Sequence, residues 1–195
     1  RKPLIKDIYM SYENRLKRAD AMDFDDLLFN TFILFRDFPE ILYKYQQKFK
    51  YLMVDEYQDT NHAQYLILNK LGALTENICV VGDDAQSIYA FRGAHIGNML
   101  NFKNDYPDYN LFKLEQNYRS SKVIVAAANK VITYNKEQIK KTVWTANDDG
   151  LQIGMIKATT DNEEGSMVAN SIFENKMNHQ LPHDAFAVLL SLIHI

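Results

Sequence analysis

The stretch Tyr51–Thr60, which reads YLMVDEYQDT, decides the fold of this chain. It begins with four apolar or aromatic residues and then changes abruptly to Asp55 and Glu56. A short apolar run is typical of a strand in a parallel sheet, because such strands are buried on both faces. We therefore expect a strand over 51–54 whose carboxyl end carries two adjacent carboxylates.

Two later apolar runs also end in polar residues. The run 78–81 stops at Gly82-Asp83-Asp84, and the run 111–114 stops at Glu115-Gln116-Asn117. Apolar residues that recur every three or four positions predict helices over 4–18, 24–35, 40–49, 61–71 and 120–135. Strands that alternate with helices indicate an α/β fold, with a parallel sheet covered by helices on both faces. Ligands of such sheets bind beyond the carboxyl ends of the strands.

The composition changes after Tyr134, where a polar, lysine-rich segment leads to a turn signal at Asn147–Gly150. Beyond it we expect a strand over 152–157 and a helix over 161–177 that opens with a capping box at Thr160 and Glu163. A last strand is predicted over 185–190. The predicted domain boundary lies between residues 105 and 113.

Composition excludes several classes of protein. The chain has 195 residues, of which 47% are hydrophobic and 24% charged, so it can bury a core and is neither disordered nor fibrous. No apolar run is long enough for a membrane span, and no membrane partner is expected. The single cysteine, Cys79, excludes an intramolecular disulfide, is most simply a small core residue and favours a reducing, cytoplasmic location. A net charge of −3 gives no support to nucleic-acid binding, although a local groove can be positive on such a protein.

The acidic pair Asp55 and Glu56 is the first candidate site. Phosphate chemistry on a nucleotide needs one carboxylate to hold Mg²⁺ and another to orient or deprotonate water. The alternative is a solvated acidic turn. The functional interpretation is favoured because the pair follows an apolar strand and precedes Gln58-Asp59-Thr60.

The second candidate is the motif VGDDAQSIYAFRGA at 81–94. Gln86 is suited to hydrogen-bond a phosphate or an attacking water. Tyr89, Phe91 and Arg92 combine aromatic faces with a planar cation, a mixture that suits stacking on bases without reading their sequence. The alternative is that Tyr89 and Phe91 are core aromatics at alternating positions.

The third candidate is the motif LEQNYRSS at 114–121. An arginine between a strand end and a helix, as Arg119 is here, can reach a γ-phosphate and stabilise developing charge. Tyr118 offers a flat face for a purine. The alternative is a helix cap at Ser120 or Ser121 beside a surface arginine.

In order, spacing and residues, the three motifs resemble motifs II, III and IV of the UvrD/Rep/PcrA group of superfamily 1 DNA helicases. The segment DFDDLL at 23–28 is similar to the stretch that precedes motif II in that group, and the resemblance covers about residues 20–150. It implies an ATP-dependent 3′–5′ helicase with a RecA-like P-loop NTPase motor, acting on single-stranded and partly duplex DNA in repair or replication restart. It also implies three regions: 1–20 as the end of a helical 1B insertion, 21–110 as the C-terminal part of lobe 1A, and 111–195 as the truncated N-terminal part of lobe 2A.

The resemblance further implies a role for each motif residue. Asp55 and Glu56 would coordinate the Mg²⁺ of Mg-ATP, and Glu56 would be the general base for the attacking water. Gln86 would sense the γ-phosphate and link hydrolysis to the DNA site. In lobe 2A, Arg119 would be the arginine finger and Tyr118 would stack on adenine. The single-stranded DNA path would be lined by Tyr89, Phe91 and Arg92, with a phenyl ring at 91 where relatives often carry tryptophan.

The chain also departs from the group. It contains no G-x-x-x-x-G-K-[ST] phosphate loop, which the resemblance places upstream of Arg1, and the late motifs would lie beyond Ile195. We therefore expect an internal piece of a longer protein that does not hydrolyse ATP on its own. Leu190–Ile195 does not continue into the expected polar loop, which indicates a truncated or foreign tail.

Two other sets of residues leave alternatives. The five histidines lack metal-ligand spacing and are expected to be surface or capping groups. A solvated helix face is favoured over contacts with DNA phosphates for Lys136, Lys140 and Lys141.

The motor could instead belong to a RecB/AddA-like helicase-nuclease, although the sequence EYQDTN favours the simpler helicases. It could also be a degenerate motor that serves as a DNA-binding or docking module, against which the motif residues named above argue.

Overall fold

The computed structural model describes residues 2–190. Within that range the strands are β1 Leu52–Val54 and β2 Ile78–Val80. The helices are α1 Lys2–Arg18, α2 Phe24–Asp37, α3 Pro39–Lys48, α4 His62–Gly72, α5 Gly97–Leu100, α6 Phe102–Asp105, α7 Lys122–Ile132 and α8 Asp161–His179. Short 3-10 helical turns occupy Tyr57–Asp59, Asp84–Gln86, Ala90–Arg92 and His183–Ala185. No helix among these residues is both long and apolar enough to cross a membrane.

The chain forms two compact units. The first runs from the amino terminus to Gln116 and also includes Ala128–Trp144. The second comprises Asn117–Ala127 and the residues from Thr145 onward. The three regions implied by the family resemblance stay a prediction.

Local signals explain where the helices of the first unit begin. Asp23 and Asp26 form a capping box at the start of α2, each carboxylate accepting the other residue's backbone N–H, at 2.8 and 3.2 Å. Asn61 and Gln64 do the same for α4, at 2.9 Å in both directions. Such reciprocal caps satisfy N–H groups that have no partner inside the helix. The helices predicted over 4–18, 24–35, 40–49 and 61–71 are confirmed.

The sheet has two parallel strands. Leu52 pairs with Ile78, Met53 with Cys79 and Val54 with Val80. Because side chains alternate along a strand, Met53 and Cys79 share one face, and both are exposed. The expectation that this sheet is covered on both faces, with Cys79 in the core, is therefore wrong: within residues 2–190, no layer covers that face.

The strand predicted over 111–114 does not form. Phe112 is 84% exposed and Leu114 is 86% exposed. Pairing is limited to a single bridge between Gln116 and Trp144, where the Trp144 N–H donates to the Glu115 carbonyl at 2.8 Å. An apolar run becomes a strand only where a neighbour supplies consecutive hydrogen-bond partners, and the described chain supplies one pair here.

The strands predicted over 152–157 and 185–190 are also absent from the described residues. Met155 is 93% exposed and Leu189 is 91% exposed, and Ala185 ends a 3-10 turn instead. Both runs have the apolar composition of strands but lack a partner strand in the described part of the second unit. The expectation about the tail falls largely on 191–195, which lie outside the described residues.

The two predicted helices of this region are confirmed, with small differences. Helix α7 spans Lys122–Ile132, somewhat shorter than predicted. At the start of α8, Thr160 Oγ1 accepts the Glu163 N–H at 3.2 Å. The Glu163 carboxylate accepts the N–H of Thr159 at 2.8 Å, so only half of the predicted capping box involves Thr160.

The core of the first unit lies directly after β1. Tyr57 is completely buried, and its ring meets Phe102 edge-on at 6.0 Å between centroids. Its hydroxyl has no hydrogen-bond partner among the described residues. Burial, followed by the charges of Tyr106, Asp105 and Tyr65, raises the pKa of Tyr57 to about 12. The polypeptide that carries the acidic pair is therefore anchored by the most buried side chain of the unit.

Candidate functional site

A sharp backbone turn presents the acidic pair at the end of β1. Glu56 adopts the left-handed conformation, with φ 50° and ψ 42°, and leads into the 3-10 turn Tyr57–Asp59. A non-glycine residue in that region typically costs about 1–3 kcal/mol, and such strain is found where a side chain must be presented in one orientation. Asp55 Oδ1 accepts the Glu56 N–H at 2.9 Å. Both carboxylates are exposed beyond the strand.

Gln58 joins this turn to the end of β2. It is 1% exposed. Its Nε2 donates to Glu56 Oε2 at 2.7 Å, and its Oε1 accepts the backbone N–H of Asp83 at 3.0 Å. In the sequence, Gln58 stands out only as part of the polar run that follows the acidic pair. The available signal was its place two residues after Glu56, but its role depends on the other strand.

Gly82 allows the two strand ends to approach this closely. A Cβ atom at Gly82 would lie 2.6 Å from Gln58 Oε1 and 3.2 Å from the backbone N of Tyr57. Both distances are shorter than an ordinary carbon contact. The glycine of this motif is therefore required by close packing against Gln58, because any side chain there would displace the amide.

The loop after β2 is organised around Asp83. Asp83 Oδ2 accepts a hydrogen bond from Gln86 Nε2 at 2.9 Å, and Oδ1 accepts the Ala85 N–H at 3.0 Å. Gln86 itself is exposed. Through Gln58 and Asp83, the structure brings Glu56 and Gln86 into one connected set of hydrogen bonds.

Lys141 makes a further contact with this loop. Its Nζ lies 2.5 Å from Asp83 Oδ1 and 3.0 Å from Asp84 Oδ1. The expectation of a solvated helix face at Lys136, Lys140 and Lys141 is therefore wrong in part: the chain from 133 to 141 is not helical and Lys141 is paired and only partly exposed, whereas Lys136 and Lys140 are exposed as expected. Lys141 is drawn out of solvent by its pairing with Asp83 and Asp84, which lie 58 and 57 residues away in the sequence.

The pKa values of Asp83 and Lys141 are both shifted by this pairing. Burial raises the pKa of the Asp83 carboxyl, but hydrogen bonds from Lys141, Gln86 and the Ala85 N–H outweigh burial, and the net pKa is lowered. Burial likewise lowers the pKa of Lys141, but hydrogen bonds to Asp83 and Asp84 outweigh it, and the net pKa is raised. Both shifts favour the charged pair.

Tyr89, Phe91 and Arg92 form an exposed aromatic cluster. The Arg92 guanidinium carbon lies 5.6 Å from the Tyr89 ring centroid and 5.5 Å from that of Phe91. The centroids of the two rings are 6.0 Å apart, and Phe91 is 77% exposed. The alternative that these are core aromatics is therefore wrong. A cation beside two accessible ring faces has the chemistry of a single-stranded nucleic-acid contact.

Tyr118 and Arg119 belong to the second unit. Asn117 Oδ1 accepts the backbone N–H groups of Arg119 at 2.9 Å and Ser120 at 2.7 Å, which makes a tight turn before α7. Tyr118 is 78% exposed and Arg119 is also exposed. Both side chains therefore lie on the surface of that unit.

A cavity of about 390 Å³ adjoins the acidic pair. Its polar lining includes Asp55, Glu56 and Asp59, and the Oδ1 atom of Asp59 is buried without a hydrogen-bond partner among the described residues. Residues 2–190 contain no group of three or more His, Cys, Asp or Glu residues able to hold a metal. Mg²⁺ is usually held by one or two carboxylates together with water and substrate phosphates, so the residues present fit that ion.

Two family models match the chain. The model of the UvrD/REP helicase N-terminal domain matches residues 1–107. The model of the UvrD-like helicase C-terminal domain matches residues 112–194.

Similar proteins carry the name ATP-dependent DNA helicase PcrA. The chain is 45% identical to the one from Leuconostoc citreum over 185 residues, which are 95% of this chain and 25% of that protein. It is 47% identical to that of Staphylococcus aureus strain Mu50, over 90% of this chain and 24% of the relative. It is 46% identical to that of Bacillus subtilis strain 168, over 88% of this chain and 23% of the relative. The chain thus spans about a quarter of the length of these relatives. Because the first family model alone covers more than half of the residues, the chain belongs to the UvrD/REP helicase family.

Proposed function

We propose that this chain is part of an ATP-dependent 3′–5′ DNA helicase, which couples ATP hydrolysis to movement on single-stranded DNA and to duplex unwinding. The observation that carries the proposal is the buried amide of Gln58, which ties Glu56 to the loop that bears Gln86. The relatives named as ATP-dependent DNA helicases support the same activity. DNA repair or replication restart is the pathway that the family resemblance favours.

In this proposal the acidic pair performs the hydrolytic step. Asp55 would help to hold Mg²⁺, which when bound would neutralise charge that develops on the phosphates. Glu56 takes a proton from the attacking water. Its hydrogen bond from Gln58 and its left-handed backbone hold the carboxylate in one orientation, which supports a role that depends on position.

Coupling to DNA is proposed to run along the loop after β2. Gln86 contacts the γ-phosphate, and the aromatic cluster of Tyr89, Phe91 and Arg92 follows within six residues. A shift of Gln86 between nucleotide states would therefore move the cluster on which bases stack. The exposure of these rings and their adjacent guanidinium support this assignment.

The second unit is proposed to contribute Arg119 and Tyr118. A guanidinium reaches the transferred phosphate and stabilises its charge, and a tyrosine ring stacks on adenine. Their exposure on the turn before α7 supports these roles. We further propose that both units derive from RecA-like lobes, with 21–110 in lobe 1A, 111–195 in lobe 2A and 1–20 ending the 1B insertion.

The 195 residues contain no phosphate-binding loop of the G-x-x-x-x-G-K-[ST] type. Without that loop the phosphates lose a set of backbone N–H donors and a lysine. We therefore propose that the activity belongs to a longer protein, and that this chain alone does not turn over ATP.

The experiment is a DNA-stimulated ATPase assay of the isolated chain and of the intact protein from its complete reading frame. We expect turnover in the intact protein only. Turnover by the isolated chain that Glu56→Gln abolishes would contradict its proposed inactivity. A reading frame without the phosphate-loop lysine would favour a degenerate DNA-binding module, and a downstream nuclease domain would favour a helicase-nuclease.

A further inference from the structure

Lys141 occupies an unexpected place beside the loop that follows β2. Its side chain is 22% exposed, and its ammonium group lies between two carboxylates. The Asp84 side chain is 2% exposed, and its second oxygen accepts the backbone N–H of Ile139 at 2.8 Å. One short segment, residues 139–141, therefore supplies partners to both acids of the loop.

Asp83 makes four hydrogen bonds that hold it in place. Lys141 and the backbone N–H of Ala85 donate to Oδ1, Gln86 donates to Oδ2, and the backbone N–H of Asp83 donates to the buried Gln58. A carboxylate is planar, so fixing one oxygen and the backbone also fixes the direction in which the other oxygen accepts. The Gln86 amide is exposed and has several rotatable bonds, so this acceptor restricts it.

We propose that Lys141 is a positioning residue that orients the Gln86 side chain by holding the Asp83 carboxylate. It makes residues 139–141 a structural part of the site that begins at β1 and β2. The positioning itself is independent of any reaction. Its consequence for ATP turnover rests on the proposed function of Gln86.

The positioning is tested in this 195-residue chain by NMR. The side-chain NH₂ signals of Gln86 are assigned by their loss in Gln86→Leu. In Lys141→Met we expect them to move toward the position of a free glutamine amide, while the backbone amides of β1 and β2 keep their positions. Lys141→Arg is expected to restore much of the original position, and Lys44→Met, at an exposed lysine of the same unit, is the control with no movement.

Unmoved Gln86 signals in a folded Lys141→Met chain would overturn the proposal. Should that variant fail to fold, Lys141→Gln is the second variant, because it keeps a hydrogen-bond donor beside the buried Asp84 carboxylate. The same displacement is expected there, and its absence in Lys141→Gln is equally contradictory.

A kinetic experiment on the intact protein separates the two proposals. If Gln86 acts in hydrolysis, Lys141→Met lowers kcat for ATP by about 10- to 100-fold, the size expected from a misplaced group, with little change in KM. Lys141→Arg is expected to recover most of kcat. Displaced Gln86 signals with an unchanged kcat would leave the positioning intact and contradict the role of Gln86 in turnover.

Discussion

The Oε1 atom of Gln58 accepts a hydrogen bond from the backbone N–H of Asp83 at 3.0 Å, across 25 residues of chain. The same side chain donates to Glu56 at 2.7 Å and is 1% exposed. One buried amide thus joins the carboxyl ends of the two strands. The first two predictions follow from this connection.

Gln58→Leu is expected to lower the free energy of unfolding by about 1–3 kcal/mol, because it leaves the partly buried N–H of Asp83 without its acceptor. Urea unfolding of the chain measures this. The control is Gln47→Leu, at an exposed helix position, where a change within about 0.5 kcal/mol is expected. Equal effects at the two positions would mean that the Gln58 hydrogen bonds do not stabilise the fold.

Gly82→Ala is expected to destabilise the chain by about 1–3 kcal/mol, the usual cost of forcing extra atoms into a packed site. Its Cβ would lie 2.6 Å from Gln58 Oε1. Gly154→Ala provides the matched control, because nothing lies within 4 Å of its added Cβ. Thermal unfolding of both variants compares them, and a Gly82→Ala chain as stable as Gly154→Ala would contradict the close approach.

Tyr57→Phe is expected to raise the free energy of unfolding at neutral pH by about 1 kcal/mol, because it removes a buried hydroxyl that has no partner among the described residues. The substitution also changes how the free energy of unfolding depends on pH above pH 10. The pKa of Tyr57 is raised from 10.0 in the unfolded chain to about 12 in the folded chain. Its titration therefore leaves stability unchanged below pH 10, and stability is lost as pH rises from 10 through about 12, because only the unfolded chain ionises readily there.

Denaturant unfolding between pH 7 and pH 12 tests this comparison. The parent chain should lose up to about 1.4 kcal/mol per pH unit more than Tyr57→Phe above pH 10. Tyr57→Ala is the second variant, and it should cost several kcal/mol because it leaves a cavity. If the parent chain and Tyr57→Phe lose free energy of unfolding at the same rate above pH 10, the burial of this hydroxyl is refuted.

Gly165→Ala is expected to stabilise the second unit by about 1 kcal/mol. Gly165 lies inside α8, and its added Cβ meets nothing within 4 Å, so the substitution restricts the unfolded chain without a clash. Thermal unfolding followed by far-ultraviolet circular dichroism measures it. A lower midpoint than the parent would show that α8 does not form as described.

Sequence signals of short range were sufficient for the six longer helices and for the two strands that form, but they did not predict the four-residue helices α5 and α6. Helix periodicity and caps such as Asn61 with Gln64 lie within a few residues of one another. The apolar runs at 111–114, 152–157 and 185–190 have the composition of strands. They fail because pairing depends on distant partners, which composition does not specify.

In the site, too, the features set by neighbouring residues could be predicted, and those set by distant contacts could not. The motif residues Asp55, Glu56 and Gln86 are visible in the sequence because their types and spacing suit phosphate chemistry. The roles of Gln58 and Lys141 were missed because each depends on a contact 25 or more residues away. Both are polar side chains whose partners become known only when the two strand ends are brought together.

Glu56 and its hydrogen-bonded neighbours are proposed to form the hydrolytic part of a DNA-dependent motor. The most direct measurement is the DNA-stimulated ATPase rate of the intact protein with Glu56→Gln, compared with Glu40→Gln on the exposed surface of α3. We predict that Glu56→Gln lowers kcat by at least about 100-fold and retains nucleotide binding, whereas Glu40→Gln matches the parent protein. A Glu56→Gln protein that turns over ATP at the parent rate would show that Glu56 is not the general base.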